Sequence, residues 1–259
     1  NTFQNLPAPQ AIQSCLYEGS LLPIDKALRV ETKYLMTVAR GPVARGMIRT
    51  LFVSKTKAEK GLHRPAGFAP FASRRLGIVG AGMMGGGIAL VAAQRGIDVV
   101  LIDRDQAAAE RGKAYAEKAL ARQVERGRMA ADKREAILAR IRPTTDYALL
   151  QDADMVVEAV FEDRAVKAEV TRRLDAVLPA DCVLATNTSA LPITLLAQAS
   201  AQPGRFIGLH FFSPADRMPL VEVIRGKATS DATLARALDF VAQLRKTPIV
   251  VNDARGFFT

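Results

Sequence analysis

The sequence predicts a doubly wound α/β domain with a mostly parallel sheet, preceded by a helical segment. Two observations support this prediction. From Arg75 onward, short and nearly continuous apolar runs alternate with stretches of helical periodicity, which is typical of parallel strands covered by helices on both faces. Upstream of residue 72, apolar side chains recur at helical spacing only. We therefore expect a helical region over residues 1–72 and the α/β domain over residues 73–259.

Three helices are expected in the first region. Apolar periodicity predicts them at residues 9–17, 23–39 and 43–60. Gly41 and Pro42 separate the second helix from the third. Residues 61–67, which contain two glycines and a proline, predict a linker. His63 lies in that linker and is expected to be exposed.

Seven strands are expected in the second region. They are predicted at residues 76–79, 99–102, 155–157, 182–185, 206–209, 220–224 and 249–251. Helices are predicted at residues 88–94, 107–126, 131–141, 164–177 and 232–244. Strands separated by helices in this way indicate a parallel sheet with both faces covered.

Composition excludes several classes of protein. Hydrophobic residues make up 49% and charged residues 24% of the 259 residues, an ordinary balance for a soluble domain. The apolar stretches are too short for a transmembrane helix. Cys15 and Cys182 lie far apart and share no metal-ligand spacing with the two histidines, so we expect neither a metal site nor a disulfide. This cysteine usage favours a reducing compartment.

The net charge of +10 is concentrated in the first 75 residues. A basic segment can bind nucleic acid or attract an anionic ligand. Here the basic residues alternate with apolar ones at helical spacing, and no aromatic stacking platform accompanies them. We therefore favour a solvated face near an acidic partner domain, or a field that attracts phosphorylated ligands, and we expect no nucleic-acid partner.

A glycine-rich turn follows the first strand of the α/β region and opens its first helix. Its residues are Gly80, Ala81, Gly82, Met83, Met84 and Gly85. The first glycine allows a tight turn, the second lets a pyrophosphate approach the backbone, and the third permits close packing of helix on strand. Asp103 ends the second strand, where an acidic residue accepts hydrogen bonds from the adenosine ribose. This pattern predicts a Rossmann-type NAD site, because Asp103 repels the extra phosphate of NADP although Arg104 weakens that repulsion.

Two polar side chains interrupt apolar runs further along the chain. His210 follows the run that begins at Phe206, and Glu222 lies inside the run over residues 220–224. A buried imidazole needs a partner that fixes its tautomer, and a buried carboxylate needs a donor. If both face one cleft, they form a general base held by an orienting acid. The alternative is a core histidine bonded to a backbone carbonyl, with Glu222 on a solvated face.

Residues 80–259 resemble the L-3-hydroxyacyl-CoA dehydrogenases in the order and spacing of their motifs. Besides the glycine turn, the matching segments are Val157-Glu158-Ala159-Val160-Phe161-Glu162-Asp163, Asn187-Thr188-Ser189, Gly208-Leu209-His210-Phe211-Phe212-Ser213-Pro214 and Leu220-Val221-Glu222-Val223-Ile224. The resemblance implies NAD-dependent oxidation of (S)-3-hydroxyacyl-CoA to 3-ketoacyl-CoA. One alternative is a β-hydroxyacid dehydrogenase acting on a free acid, and the residues around His210 argue against it. Another is a nucleotide-binding fragment without catalysis of its own.

Residues 1–70 resemble the end of the enoyl-CoA hydratase portion and the linker helix of bacterial-type multifunctional β-oxidation subunits. The matching segments are Pro7-Ala8-Pro9-Gln10-Ala11-Ile12, Tyr17-Glu18-Gly19 and Ile48-Arg49-Thr50-Leu51-Phe52-Val53. This resemblance implies a parent protein that carries both a lyase and an oxidoreductase. Such a parent is expected to be cytoplasmic and oligomeric and to associate with a thiolase subunit.

The resemblance also implies roles for individual residues. His210 corresponds to the catalytic base that takes the 3-hydroxyl proton, and Glu222 to the residue that orients it. Ser189 corresponds to the hydroxyl that binds the reacting oxygen beside the cofactor. Glu162 and Lys167 correspond to residues near the cofactor, although an exposed charge pair five residues apart is an alternative.

Two further positions are implied to contact ligands. Ser213 stands where many relatives carry asparagine, so its contact near the nicotinamide is expected to be shorter or water-mediated. Arg126 falls near a family cation that reaches the CoA portion of an acyl-CoA substrate.

The ends of the sequence bear on what this chain is expected to do alone. The chain begins at Asn1 without methionine or a targeting segment and stops at Thr259 within an apolar pattern. In the family the chain continues into an all-helical domain that closes over the acyl-CoA. We therefore expect an internal piece of a longer protein that is weak or inactive alone, because nothing excludes water or orients the thioester.

Overall fold

A computed structural model describes residues 5–258, so the two ends of the predicted regions, residues 1–4 and Thr259, lie outside the described residues. The chain divides into two compact units, Asn1–Lys60 and Gly61–Thr259. The division falls within the glycine- and proline-containing segment predicted as a linker. The proposed boundary at residue 72 stays a prediction.

The first unit is helical, as predicted. Its helices are α1 (Pro7–Gly19), α2 (Ile24–Arg40), α3 (Pro42–Met47) and α4 (Lys55–Glu59), and a π-helical segment over Ile48–Ser54 joins the last two. The predicted third helix is therefore one helical stretch whose hydrogen-bond pattern changes in the middle. No residue from 5 to 60 is fully buried.

The second unit is built on one eight-stranded sheet. Its strands are β1 (Arg75–Val79), β2 (Asp98–Ile102), β3 (Ile141–Thr144), β4 (Met155–Glu158), β5 (Val183–Thr186), β6 (Phe206–Phe211), β7 (Leu220–Arg225) and β8 (Thr247–Asn252). The strand order is β3-β2-β1-β4-β5-β6-β7-β8. Every neighbouring pair is parallel except β6 and β7, which are antiparallel. The predicted doubly wound, mostly parallel sheet is confirmed.

Helices cover both faces of this sheet. They are α5 (Met83–Gln94), α6 (Gln106–Glu125), α7 (Ala131–Leu138), α8 (Arg164–Asp175), α9 (Ile193–Leu196) and α10 (Asp231–Gln243). Successive residues of a strand point to opposite faces, so Met155 and Val157 belong to one hydrophobic cluster and Val156 to the other. This explains why the strands are nearly continuous apolar runs rather than alternating ones.

One predicted helix was too long and hid a strand. The helix expected over residues 131–141 ends at Leu138, and Ile141 begins β3. Arg142 and Pro143 make that strand polar and proline-containing, which is tolerated because β3 lies at the edge of the sheet. From the sequence alone, the pattern of charged residues typical of a helix continues into β3 without a visible break.

Two kinds of feature are absent from residues 5–258, a membrane-spanning helix and a cluster of metal ligands. Over residues 5–258, no helix combines the length and apolar character needed to cross a membrane. Within the same residues, no group of three or more His, Cys, Asp or Glu side chains is placed to hold a metal ion.

Candidate functional site

The predicted site residues gather at the carboxyl edge of the parallel strands. The chain leaves β1 towards β2 on one side, while β4 lies on the other side of β1. This is the point where the winding direction of the sheet reverses. In open α/β sheets, ligands bind in the crevice that opens there.

The glycine turn fits a closely approaching ligand. Gly80 has a φ of 99°, and a Cβ built on it would lie 2.5 Å from the carbonyl oxygen of Ala159. A Cβ on Gly85 would clash with the carbonyl oxygen of Gly80. On Gly82, by contrast, a Cβ would meet no described atom within 4 Å. The first and third glycines are therefore required by the protein itself, whereas the second leaves room in front of the N-terminus of α5.

Asp103 lies beside this turn at the end of β2. Its Oδ2 accepts a hydrogen bond of 2.7 Å from the backbone N–H of Ala81, and its Oδ1 accepts one from the N–H of Arg104. The carboxylate thus links the glycine turn to the second strand. Each oxygen retains a lone pair for a further donor, as binding of a ribose hydroxyl requires.

A cavity of about 740 Å³ extends from Asp103 across the ends of β1 and β4. Its lining includes side chains that the sequence reasoning did not identify, among them Arg111, Tyr147 and Arg173. The guanidinium carbon of Arg173 lies 3.8 Å from the centre of the Tyr147 ring. These residues come from three elements and belong to no motif, so no signal in the sequence could have found them.

Glu162 and Lys167 belong to one cluster of charged side chains. Lys167 is only 1% exposed, so the alternative of an exposed charge pair does not hold for the lysine. Its Nζ donates to Glu158 Oε1 at 2.7 Å and lies 3.5 Å from Glu162 Oε2. Glu162 Oε1 in turn accepts hydrogen bonds from the Thr188 hydroxyl and from Ser189, through both its N–H and its hydroxyl.

The pKa of Glu162 reflects these contacts. Partial burial acts to raise the pKa of this carboxyl, but the hydrogen bonds from Thr188 and Ser189 and the charge of Lys167 outweigh it. The pKa is therefore lowered from its ordinary value. Glu162 is held as an anion that fixes the loop carrying Ser189.

His210 and Glu222 are in direct contact. They are register partners on the antiparallel strands β6 and β7, and His210 Nδ1 lies 2.6 Å from Glu222 Oε2. Glu222 is fully buried, while 14% of the His210 side chain is exposed. The alternative of a histidine bonded to a carbonyl, with a solvated Glu222, does not hold. The imidazole keeps Nε2 free of this pair, which is the arrangement of a proton acceptor held by an acid.

Neighbouring groups support this pair. The second oxygen of Glu222 accepts a hydrogen bond of 3.1 Å from the backbone N–H of Phe258. The side-chain oxygen of Asn187 accepts one from the N–H of Phe211, next to His210. The Phe212 ring lies 4.7 Å from the imidazole, centre to centre. The loop that leads to Ser189 is thus bonded to the strand that carries the base.

The last two predicted residues, Ser213 and Arg126, lie outside these two clusters. Ser213 Oγ is 4.0 Å from the sulfur of Met83, so it faces the start of α5. Arg126, the C-cap of α6, lines a separate cavity of about 510 Å³. The other basic residues of that cavity are Lys118, Arg122, Arg128 and Arg217.

Comparison with known proteins agrees with this architecture. The sequence profile of the 3-hydroxyacyl-CoA dehydrogenase NAD-binding domain matches residues 75–254. The structure of (S)-3-hydroxybutyryl-CoA dehydrogenase from Ralstonia eutropha is 39% identical, with a TM-score of 0.71 over 73% of this chain and 66% of that one. That of 3-hydroxybutyryl-CoA dehydrogenase from Escherichia coli is 36% identical, with a TM-score of 0.69 over 71% of this chain and 39% of that one.

A third structure is the dehydrogenase part of multifunctional enzyme 1 from C. elegans. It is 28% identical, with a TM-score of 0.65 over 77% of this chain and 48% of that one. The chain therefore spans less than two thirds of the length of all three relatives. The match of fold, glycine turn and profile over most of the second unit identifies the family. This chain belongs to the NAD-dependent 3-hydroxyacyl-CoA dehydrogenases, and residues 75–254 are its NAD-binding domain.

Proposed function

We propose that the protein containing this chain oxidises (S)-3-hydroxyacyl-CoA to 3-ketoacyl-CoA. The observation that carries the proposal is the His210–Glu222 contact of 2.6 Å at the sheet edge that also bears the glycine turn. A general base held by a buried acid, next to a dinucleotide site, suits removal of a hydroxyl proton while a hydride leaves the same carbon.

The residues of this chain divide the work between two ligands. NAD, when bound, supplies the acceptor for the hydride that leaves C3 of the substrate. His210 Nε2 takes the proton of the 3-hydroxyl, and Glu222 stabilises the imidazolium that results. Ser189 donates its hydroxyl to the reacting oxygen in place of its 3.3 Å hydrogen bond to Glu162, while its backbone N–H stays bonded to that carboxylate. Gly82 leaves the space that the cofactor phosphates need, and Asp103 accepts from the adenosine ribose, so the residues present fit NAD.

The basic cavity beside α6 supports a CoA thioester as substrate. Arg122, Arg126 and Arg128 face it together with Lys118, while Asp216 is its only acidic lining residue among those described. Asp216 is engaged with the hydroxyl of Tyr115 at 2.7 Å. Burial, together with this hydrogen bond, raises the pKa of Tyr115 to about 12, so the phenol stays protonated. A cluster of arginines is suited to the phosphates of CoA.

The parent protein is proposed to act in fatty-acid β-oxidation and to carry a hydratase ahead of the dehydrogenase. The helical unit over residues 1–60, with its resemblance to a hydratase end and linker helix, supports this. The proposal extends to a cytoplasmic, oligomeric parent that associates with a thiolase subunit. An enzyme with both activities would pass the hydrated product directly to His210.

Substitution of the base in the whole protein tests the reaction. His210→Ala and Glu222→Gln are each expected to lower kcat by about 10²–10⁴-fold, as is typical when a general base is removed. The dissociation constant for NAD should stay nearly unchanged, because neither residue belongs to the glycine turn. His63→Ala, which changes the other histidine of the chain, is the matched control. Near-wild-type turnover of His210→Ala would refute the assignment.

A second experiment tests the substrate class. Arg126→Ala is expected to raise KM for 3-hydroxybutyryl-CoA with little change in kcat, because the arginine would bind a part of the substrate remote from the reaction. Free 3-hydroxybutyrate should be a poor substrate of both proteins. Equal kcat/KM for the thioester and the free acid would instead favour a β-hydroxyacid dehydrogenase. Absence of turnover with either, despite NAD binding, would favour a fragment without catalysis.

A further inference from the structure

Glu158 is a buried carboxylate, and both of its oxygens accept hydrogen bonds. It is the last residue of β4 and is only 2% exposed, so its charge is shielded from solvent. Its Oε1 accepts hydrogen bonds from Lys167 Nζ at 2.7 Å and from the N–H of Val160 at 2.8 Å. Its Oε2 accepts one from the hydroxyl of Thr186 at 2.7 Å. An anion buried so fully persists only when it is paired and hydrogen-bonded.

The ammonium of Lys167 is shared by two carboxylates with different surroundings. Glu158 lies on its buried side at 2.7 Å, and Glu162 on its open side at 3.5 Å. Glu162 is about one-third exposed, and its other oxygen accepts hydrogen bonds from Thr188, Ser189 and Ala190. The shorter contact of Lys167 to Glu158 therefore leaves Glu162 free to hold the loop after β5.

We propose that Glu158 is a positioning residue that sets the orientation of Ser189 through Lys167 and Glu162. The inference rests on the proposed function for its meaning, since Ser189 is there the group that meets the reacting oxygen and the nicotinamide. Glu158 itself touches neither ligand. Its task is to keep the ammonium of Lys167 on the buried side, so that Glu162 stays bonded to Thr188 and Ser189.

The physical reason is competition for one buried cation. Without the charge of Glu158, Lys167 has only Glu162 as an ionic partner, and the buried ammonium attracts that carboxylate without competition. Contraction of the 3.5 Å contact would draw Glu162 towards Lys167 and away from the Thr188 hydroxyl and the Ser189 N–H. The loop over residues 187–190 would then lose its anchor at the cofactor edge.

A second buried ion pair of the same unit provides a control. Arg205 donates to Asp175 Oδ1 at 2.7 Å, and both side chains are less than one-tenth exposed. Asp175 also accepts hydrogen bonds from Ser200 and Ala201, so it too anchors a loop. It is the last residue of α8, outside the glycine turn, and does not itself line the cavity of about 740 Å³, although Arg173 of the same helix does.

The test compares Glu158→Gln with Asp175→Asn in the complete 259-residue chain. The dissociation constant for NADH is measured by fluorescence titration, and thermal unfolding is measured without ligand. Both substitutions should lower Tm. Only Glu158→Gln should also weaken NADH binding, by about tenfold or more, the loss typical when a group that orients a binding residue is removed. Glu158→Asp, which keeps the charge, should restore most of that affinity.

The result that overturns the proposal is equal NADH affinity for the wild type and Glu158→Gln. If Glu158→Gln does not fold, Thr186→Val takes its place, because it removes the hydrogen bond that fixes Glu158 Oε2 and so loosens the hold of this carboxylate on Lys167. A severalfold weaker affinity for NADH is then expected, and an unchanged affinity overturns the proposal. The proposed reaction is tested separately, by measuring turnover of the whole wild-type protein. A lack of turnover there would not change the order of the NADH affinities measured for the variants.

Discussion

At the scale of single residues, the Glu162 carboxylate lies in the loop after β4 and holds the loop after β5 that carries Ser189. Its lowered pKa arises because the hydrogen bonds from Thr188 and Ser189 and the Lys167 charge outweigh the effect of burial. These contacts all favour the ionised form. Folding is therefore favoured by ionised Glu162 at neutral pH, and this contribution disappears when the carboxyl becomes protonated.

Glu162→Gln should change the pH dependence of stability in a defined direction. Because the folded-state pKa is lowered, the contribution of Glu162 is complete above the ordinary value near 4.5 and is lost as the pH falls through the folded-state value. The variant should melt below the wild type at pH 7, and the difference should shrink as the pH falls below about 4.5. Melting curves at pH 7, 5 and 3 check this. A constant difference at all three would contradict it, and Glu169→Gln, a change of an exposed carboxyl on the following helix α8, is the control.

Single residues also show which parts of the site a sequence can predict. The apolar runs around His210 and Glu222 allowed either a paired base or a core histidine, and the resemblance of the surrounding motifs to the dehydrogenases favoured the pair. Lys167 gave no comparable signal, since α8 is a charged helix in which this lysine stands among three arginines. Its burial depends on Glu158, nine residues earlier on a strand, and on the way the loop after β4 folds back. Local pattern does not contain that information.

At the scale of elements, the glycine turn depends on the close approach of α5 and α6. A Cβ on Gly112 of α6 would lie 2.6 Å from the carbonyl oxygen of Ala81 and 3.0 Å from Leu101 Cδ2. A Cβ on Gly86 of α5 would lie 2.9 Å from the carbonyl oxygen of Gly112. Two glycines outside the predicted motif therefore allow the second helix to seat against the turn.

Gly112→Ala and Gly82→Ala should have opposite consequences. Gly112→Ala forces a methyl group into packed backbone and should lower the free energy of unfolding by about 1–3 kcal/mol. Gly82→Ala meets no described atom and has a φ of −66°, so stability should be unchanged or raised by up to about 1 kcal/mol. Its methyl group would stand where the cofactor phosphates approach, so NADH binding should weaken. Denaturant unfolding and NADH titration of both variants check this, and a stable Gly112→Ala protein would contradict the packing argument.

The sequence predicts the strands that are buried on both faces of the sheet better than it predicts the elements at the edges. The central strands are apolar throughout, so their positions follow from the sequence alone. The edge strand β3 and the four-residue helix α9 were missed. Both are short and contain or follow proline, and their structure is set by neighbours rather than by periodicity. The antiparallel direction of β7 relative to β6 is likewise determined by the loop that connects the two strands.

At the scale of the whole molecule, the segment between the two units belongs structurally to the sheet domain. Arg64 donates to both oxygens of Asp239 on α10, and the N–H of Phe71 donates to the same carboxylate. Ser73 exchanges two backbone hydrogen bonds with the Gln243 side chain. The hydrogen bond and charge of Asp239 raise the pKa of Arg64, although burial opposes this. Residues 61–74 are thus a strap on α10 rather than a free linker, and all the site residues lie in the same unit.

Two truncations should locate the true boundary of the NAD-binding unit. A protein of residues 61–259 keeps the strap and every site residue, so it should unfold in one cooperative transition and bind NADH as the full chain does. A protein of residues 75–259, which matches the start of the family profile, leaves Asp239 and Gln243 without their partners in a partly buried position. It should melt several degrees lower, while its NADH affinity at low temperature stays close to that of the longer protein. Arg64→Ala in residues 61–259 should account for much of the loss, because the arginine supplies two of the three donors to Asp239. Equal melting temperatures for the two truncations would mean that the strap adds nothing, and the domain would then begin near residue 73, as the sequence predicted.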